Sequence, residues 1–182
     1  MKKYLFILFF LLFNSEVLAS VKENIIHNLN KIDNIFFKFE QNINGKTENG
    51  ECIIQYPKKI FCKYNLKNKK ILVSNGKSLV IKSLSSYYLY PLDKTPLDLI
   101  LDKNFLIRAV NNSNERIIED KFINYSFSEK DNEINIFFDK NTYELIGWQT
   151  LDIYQNLSIT FISSIVKNQK LKKNLFKIPK QN

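Results

Sequence analysis

The spacing of hydrophobic residues changes once, near residue 33. Before it, Val21, Ile25, Ile26, Leu29 and Ile32 recur three to four apart, the period of an amphipathic helix. Ser20 stands three residues ahead of Glu23, a capping-box pattern that places the helix start at Val21 and its end near Ile32. After it, the period is two. Phe37, Phe39 and Ile43 alternate with Lys38, Glu40 and Asn42, and Gly45 to Gly50 reads as a polar turn. Cys52, Ile54 and Tyr56 share one strand face; Ile60, Cys62, Tyr64 and Leu66 share a face of its partner, with Tyr56-Pro57-Lys58 as the loop. Ile71 to Val73 and Leu79 to Ile81 flank Asn75-Gly76, a strong short hairpin signal. Tyr87 to Leu92 predicts another strand.

Thr95 then suits an N-cap, Pro96 a first helical position and Asp98 the completion of the cap. Leu97, Ile100 and Leu101 give this short helix, Pro96 to Leu101, an apolar face. Arg108 to Ser113 reads as loop or weak strand. Alternation returns at Ile123, Tyr125 and Phe127, then Ile134, Ile136 and Phe138, followed by strands at Leu145 to Thr150 and Leu157 to Ile165. Gly147, inside a strand, marks a bulge or a close approach of backbones. These elements predict a mainly β (α+β) single domain. Its core is one antiparallel sheet of about ten strands, large enough to curl, with one apolar and one wet face.

Composition adds a compartment. Lys2 and Lys3, the apolar run Tyr4 to Phe13 and the small residues up to Ala19 predict a signal peptide over residues 1–19, cleaved after Ala19. The exported domain is then 20–182, with Ser20 in place of a lipid-bearing cysteine directly after the cut. Removing the signal lowers the formal charge from +9 to +8. Six lysines lie between Lys167 and Lys180 with no acid among them; they read as a solvated segment or as a surface for anionic lipid. No motif supports nucleic-acid binding. Cys52 and Cys62 would fall opposite each other across the hairpin, as a disulfide of an exported protein or as two buried thiols.

A search for chemistry finds none. His27, the only histidine, sits on the helix beside Asn28 as a surface residue, and no nucleophile-elbow motif is present. Asp98 and Asp102 are explained by a cap and a solvated face. Two cysteines and one histidine are too few soft ligands for a metal site, and four glycines form no phosphate loop. The expectation is a non-enzyme without metal or cofactor. Eleven Phe and eight Tyr remain after the signal: either an ordinary aromatic core or the wall of a cavity that a curled sheet cannot fill.

The order of motifs settles on a family. The amphipathic helix leads into Phe37-x-Phe39-x-Gln41; Gly50, a strand, Pro57 and a return strand through Tyr64 follow. Ser74-Asn75-Gly76-Lys77, Thr95-Pro96-Leu97, a strand ending near Thr160-Phe161 and the closing Phe176-x-Ile178-Pro179 complete the series. Together they resemble the periplasmic outer-membrane lipoprotein carriers, the LolA family, over nearly the whole exported chain. The resemblance implies an incomplete β-barrel with helices across its open mouth and a monomeric carrier. It would take lipoprotein acyl chains from an inner-membrane ABC transporter to an outer-membrane acceptor or the outer membrane itself. Strand parity places on the wall of that cavity Phe37, Phe39, Ile54, Tyr56, Ile60 and Tyr64, then Leu79, Ile81, Ile136, Phe138, Ile159 and Phe161. The implied lid is Pro96, Leu97, Ile100 and Leu101. Where the family has an inward arginine before the proline of the second strand, this chain has Tyr56, whose hydroxyl is expected to hold the lid. Cys52 and Cys62 stand at wall positions that the family gives to larger apolar residues. The alternative is a half-barrel that binds another lipid or a protein, or a β-domain with a filled core; uptake of a fluorescent apolar probe separates cavity from filled core.

Overall fold

The computed structural model describes residues 20–129, 132–152 and 155–181; the signal-peptide expectation for residues 1–19 lies outside them. The first element is a helix, α1 (Val21–Asn30), opened by the capping box: Glu23 donates its N–H to the Ser20 hydroxyl and returns a carboxylate to the Ser20 N–H. Its buried residues, Ile25 and Leu29, are the i, i+4 pair of the sequence pattern. Six strands follow: β1 (Asn34–Ile43), β2 (Lys46–Gln55), β3 (Lys59–Tyr64), β4 (Ile71–Asn75), β5 (Ser78–Lys82) and β6 (Tyr87–Pro91). After a 3₁₀ turn at Leu92–Lys94 come α2 (Leu97–Ile100) and α3 (Lys103–Asn112), then β7 (Glu115–Ile118), β8 (Phe122–Glu129), β9 (Asn132–Asp139), β10 (Leu145–Leu151) and β11 (Leu157–Lys167).

All the strands form one 11-stranded sheet in the order β6-β5-β4-β3-β2-β1-β11-β10-β9-β8-β7. Every pairing is antiparallel between chain neighbours except β1 with β11, which joins the first half to the second. The two edge strands, β6 and β7, do not pair with each other, so the barrel is not closed. The chain leaves one edge and reaches the other through α2 and α3.

Three local expectations change. Residues 103–112, of which 108 onward suggested loop or weak strand, form α3. Asp102 caps it by accepting from the Phe105 N–H, and Leu106, Ala109 and Val110 are buried at helical spacing. Gly50 lies inside β2, not in a turn. It pairs with Phe39 on one side and Tyr64 on the other, and the two rings meet edge to face over it at 5.0 Å. A Cβ at Gly50 would stand 2.2 Å from the Lys63 carbonyl oxygen and 2.9 Å from the Phe39 ring. Third, the β4–β5 loop is Gly76-Lys77, with the Asn75 side chain accepting from the N–H groups of Lys77 and Ser78.

Gly147 meets its expectation both ways. The β9–β10 register shifts beside it, and a Cβ there would lie 2.5 Å from the Thr160 carbonyl. The β2–β3 register sets Gln55 opposite Lys59, leaving Tyr56, Pro57 and Lys58 as the loop, and it sets Cys52 opposite Cys62, where a disulfide joins them. This hairpin can be tested at two points. Replacing both cysteines by alanine should lower stability by about 2–3 kcal/mol in urea unfolding, because the closed loop is short, and thiol titration of the unreduced, denatured protein should find no free thiol. Gly50→Ala should cost at least about 2 kcal/mol, because the clash is with backbone and two strands must part; an unchanged unfolding midpoint would contradict the close approach.

Candidate functional site

The concave face of the sheet is half filled. Helices α1 and α3 pack on each other. Their Ile25, Leu29, Leu106 and Val110 join Ile54, Ile123, Tyr125, Ile134, Ile136 and Phe138 in the core, and these ten residues are each 2 % exposed or less. Ile54, Ile136 and Phe138 therefore belong to the packed half and do not line an open space.

The other half holds a cavity of about 380 Å³. Its walls are Phe37 and Phe39 from β1, Ile60 and Tyr64 from β3, Leu72 from β4, Leu79 and Ile81 from β5, and Tyr88 and Tyr90 from β6. The Cys52–Cys62 pair is part of the same wall. From the far side come Trp148 and Thr150 of β10, Trp148 standing edge-on to Phe37 at 6.3 Å. Thr95, Pro96 and Leu97 roof one end. The sequence reading missed Leu72, Tyr88, Tyr90, Trp148 and the polar wall described next; only the aromatic run at 87–90 and the parity of Leu72 signalled any of them.

The end away from the roof is polar. The buried Glu48 carboxylate accepts from Lys70, with Lys46 at 3.8 Å. The Lys70 ammonium sits 4.1 Å above the Tyr64 ring. The Gln41 amide donates to the hydroxyls of Ser158 at 3.0 Å and Thr160 at 3.1 Å. Burial, and then the nearby Glu48 charge, hold the Tyr64 hydroxyl well above the ordinary tyrosine pKa, so it stays a neutral donor. Gln41, Glu48, Lys70, Ser158 and Thr160 all line the cavity.

Strand β11 corrects a second pair of expectations. Ser158 and Thr160 face the cavity; Ile159 and Phe161 face the other way, Phe161 being 45 % exposed. On that outer face Phe161 packs against Phe137 at 5.8 Å and Phe122 at 6.3 Å. The apolar parity of residues 157, 159 and 161 thus serves an outer aromatic cluster, and the inner parity is hydroxylic because it answers Gln41.

The α2 segment is tied to the sheet by a residue the sequence did not single out. Lys58, in the β2–β3 loop, donates its ammonium to the 8 %-exposed Asp98 side chain at 2.8 Å and its backbone N–H to the Leu101 carbonyl at 2.7 Å. The Lys58 carbonyl in turn accepts from the buried Ser74 hydroxyl. Tyr56 is not the tie. It lies half-buried against the core, outside the cavity lining; its backbone N–H donates to Asp33, and burial raises its hydroxyl pKa. Nor does Thr95 cap α2 by its side chain: its hydroxyl donates back to Leu92, and Asp98 pairs with Lys58. Of the four expected lid residues, Pro96 and Leu97 touch the cavity while Ile100 and Leu101 are buried in the core. Among the described residues no group of three or more His, Cys, Asp or Glu side chains is placed to hold a metal.

Among solved structures, an uncharacterized conserved protein from Thermus thermophilus aligns with a TM-score of 0.51 at 5% identity, over 88% of this chain and 93% of that one. A LolA superfamily protein from Nitrosomonas europaea aligns at 0.42 and 9% identity, over 88% and 99%. A putative outer membrane lipoprotein-sorting protein domain from Vibrio parahaemolyticus aligns at 0.45 and 7% identity, over 87% and 97%. No curated protein matches the chain. The family described as outer membrane lipoprotein carrier protein LolA matches residues 30–179, from the end of α1 to beyond β11, and the chain belongs to that family.

Proposed function

We propose that this protein is a periplasmic carrier that shields the acyl chains of lipoproteins, taking them from an inner-membrane releasing transporter towards the outer membrane. The observation that carries the reading is the largely apolar cavity between an unclosed sheet and a short helix that Lys58 holds through an ion pair to Asp98 and a backbone bond to Leu101. Exposing an acyl chain to water costs about 0.8 kcal/mol per CH₂, so a lipid anchor does not cross an aqueous compartment bare. A carrier needs only to exchange one apolar surface for another, and no bond has to form or break. A cavity of about 380 Å³ sits near the small end of ligand pockets, roughly 300–1,000 Å³. A multi-chain anchor therefore requires the α2 segment to lift, with Leu97 yielding its place to cargo.

Two measurements test this reading. The protein purified from periplasm should carry lipoprotein or acyl lipid identifiable by mass spectrometry, and a fluorescent apolar probe should bind and be displaced by it. Ile81 and Tyr90 line the cavity yet are only half-buried, so Ile81→Asp should leave the circular dichroism unchanged. It should weaken probe binding at least about tenfold, since the wall loses an apolar contact of about 1.5–3 kcal/mol. A folded Ile81→Asp protein with full probe affinity would count against the cavity.

The latch is tested separately. Lys58 is one-third exposed, so its charged hydrogen bond to Asp98 is worth about 1 kcal/mol. Asp98→Asn should speed probe entry about fivefold, and Lys58→Met should act in the same direction. Tyr56→Phe should leave the entry rate unchanged. Slower loading in Asp98→Asn, or a Tyr56→Phe effect as large, would return the latch to the tyrosine.

A further inference from the structure

The segment after β11 is a strap across the outer face of the sheet. At one end Asn168 fastens it beside α1 and β1: its side chain accepts from the N–H of Asp33 at 2.8 Å and donates to the Lys31 carbonyl at 2.7 Å. Asn34 and Gln169 exchange a further pair of bonds. At the other end the Tyr87 hydroxyl donates to the Pro179 carbonyl at 3.1 Å, and the Lys82 ammonium to the Lys180 carbonyl at 2.8 Å. Lys82 and Tyr87 face outward, since their neighbours Ile81 and Tyr88 line the cavity. Between these anchors lie β2, β3 and β4. Val73 of β4 and its partner Val80 of β5 carry the outward parity and yet are 1 % and 0 % exposed, so something covers that face.

The strap's own side chains sort accordingly. Leu171, Leu175, Phe176, Ile178 and Pro179 are half-buried, while Lys170, Lys172, Lys173, Lys177 and Lys180 are exposed. None of these five lysines is in an ion pair among the described residues. On the strands of the same face, Lys38 and Lys63 are balanced by Glu40 and Glu51, so the strap's charge is left uncompensated.

We propose that this lysine strap is a docking surface for an anionic phospholipid bilayer. Shaped protein interfaces favour Arg, Tyr and Trp and are depleted in Lys. Lysine is a hydrated point charge on a flexible stem, with no planar fork to fix a partner's orientation. A row of unpaired lysines held flat by apolar neighbours suits a diffuse, fluid negative surface, not a defined pocket. The inference does not depend on what fills the cavity. It does place the far end of the strap beside the β5–β6 hairpin, whose Ser83 and Ser86 lie on the cavity rim.

The test is co-sedimentation of the purified protein with vesicles containing phosphatidylglycerol, against vesicles of phosphatidylcholine alone. Binding is expected to the first only, and to fade as salt rises and the Debye length shrinks from about 10 Å at 0.1 M to about 3 Å at 1 M. Each lysine near the surface should contribute about fivefold in affinity. The variant with Lys170, Lys172, Lys173, Lys177 and Lys180 all changed to Gln should lose binding by two orders of magnitude or more while taking up an apolar probe normally. A control changes five exposed lysines elsewhere, Lys67, Lys69, Lys77, Lys94 and Lys121, to Gln and should retain most of the binding. Equal binding to neutral vesicles, no loss in the strap variant, or equal loss in the control would each overturn the proposal.

Discussion

The sheet's failure to close governs this molecule. Eleven antiparallel strands leave β6 and β7 as edges that do not meet, and the chain between them has to travel from one edge to the other. It does so over the concave side. The crossing puts α3 against α1 on one half of that face and leaves only the four-residue α2 over the other half. Cavity, roof and latch are three results of one connection. A closed barrel of the same strands would have needed side chains from its opposite wall to fill the interior; here the opposite wall is missing and short helices stand in for it.

The two halves of the concave face differ in what supplies their partners. Under α1 and α3 each inward residue meets another apolar side chain, and the core residues there are buried almost completely. Beyond Phe37 and Trp148 the inward residues face open space instead. The strands respond by changing character along their length, from Phe and Leu near the roof to Gln41, Glu48, Ser158 and Thr160 at the far end. Every buried polar atom of the described side chains has a partner. This matters in a cavity wall, because an unsatisfied group there would cost about 1–3 kcal/mol.

Much of this was legible in the sequence. The helix cap at Ser20, the β2–β3 register and the pairing of Cys52 with Cys62 all follow from spacing, because a three-residue loop fixes which residues face each other. Parity failed at β11, where Ile159 and Phe161 look like core but pack on an outer aromatic cluster with Phe122 and Phe137. An alternating pattern states that a strand has two kinds of face and does not state which one points inward. The helix α3 was written in the sequence by Asp102, Leu106 and Val110, but its asparagine-rich end masked the period. The role of Lys58 had no local signal at all, because Asp98 lies 40 residues away and only the tertiary fold brings them together.

Lys58 also sits on a covalent ring. The disulfide closes residues 52 to 62, so the loop that grips α2 is fastened on both flanks by one bond within the cavity wall. The hairpin cannot fray past that bond, so the contacts of Lys58 with Asp98 and with the Leu101 carbonyl rest on a covalently closed loop.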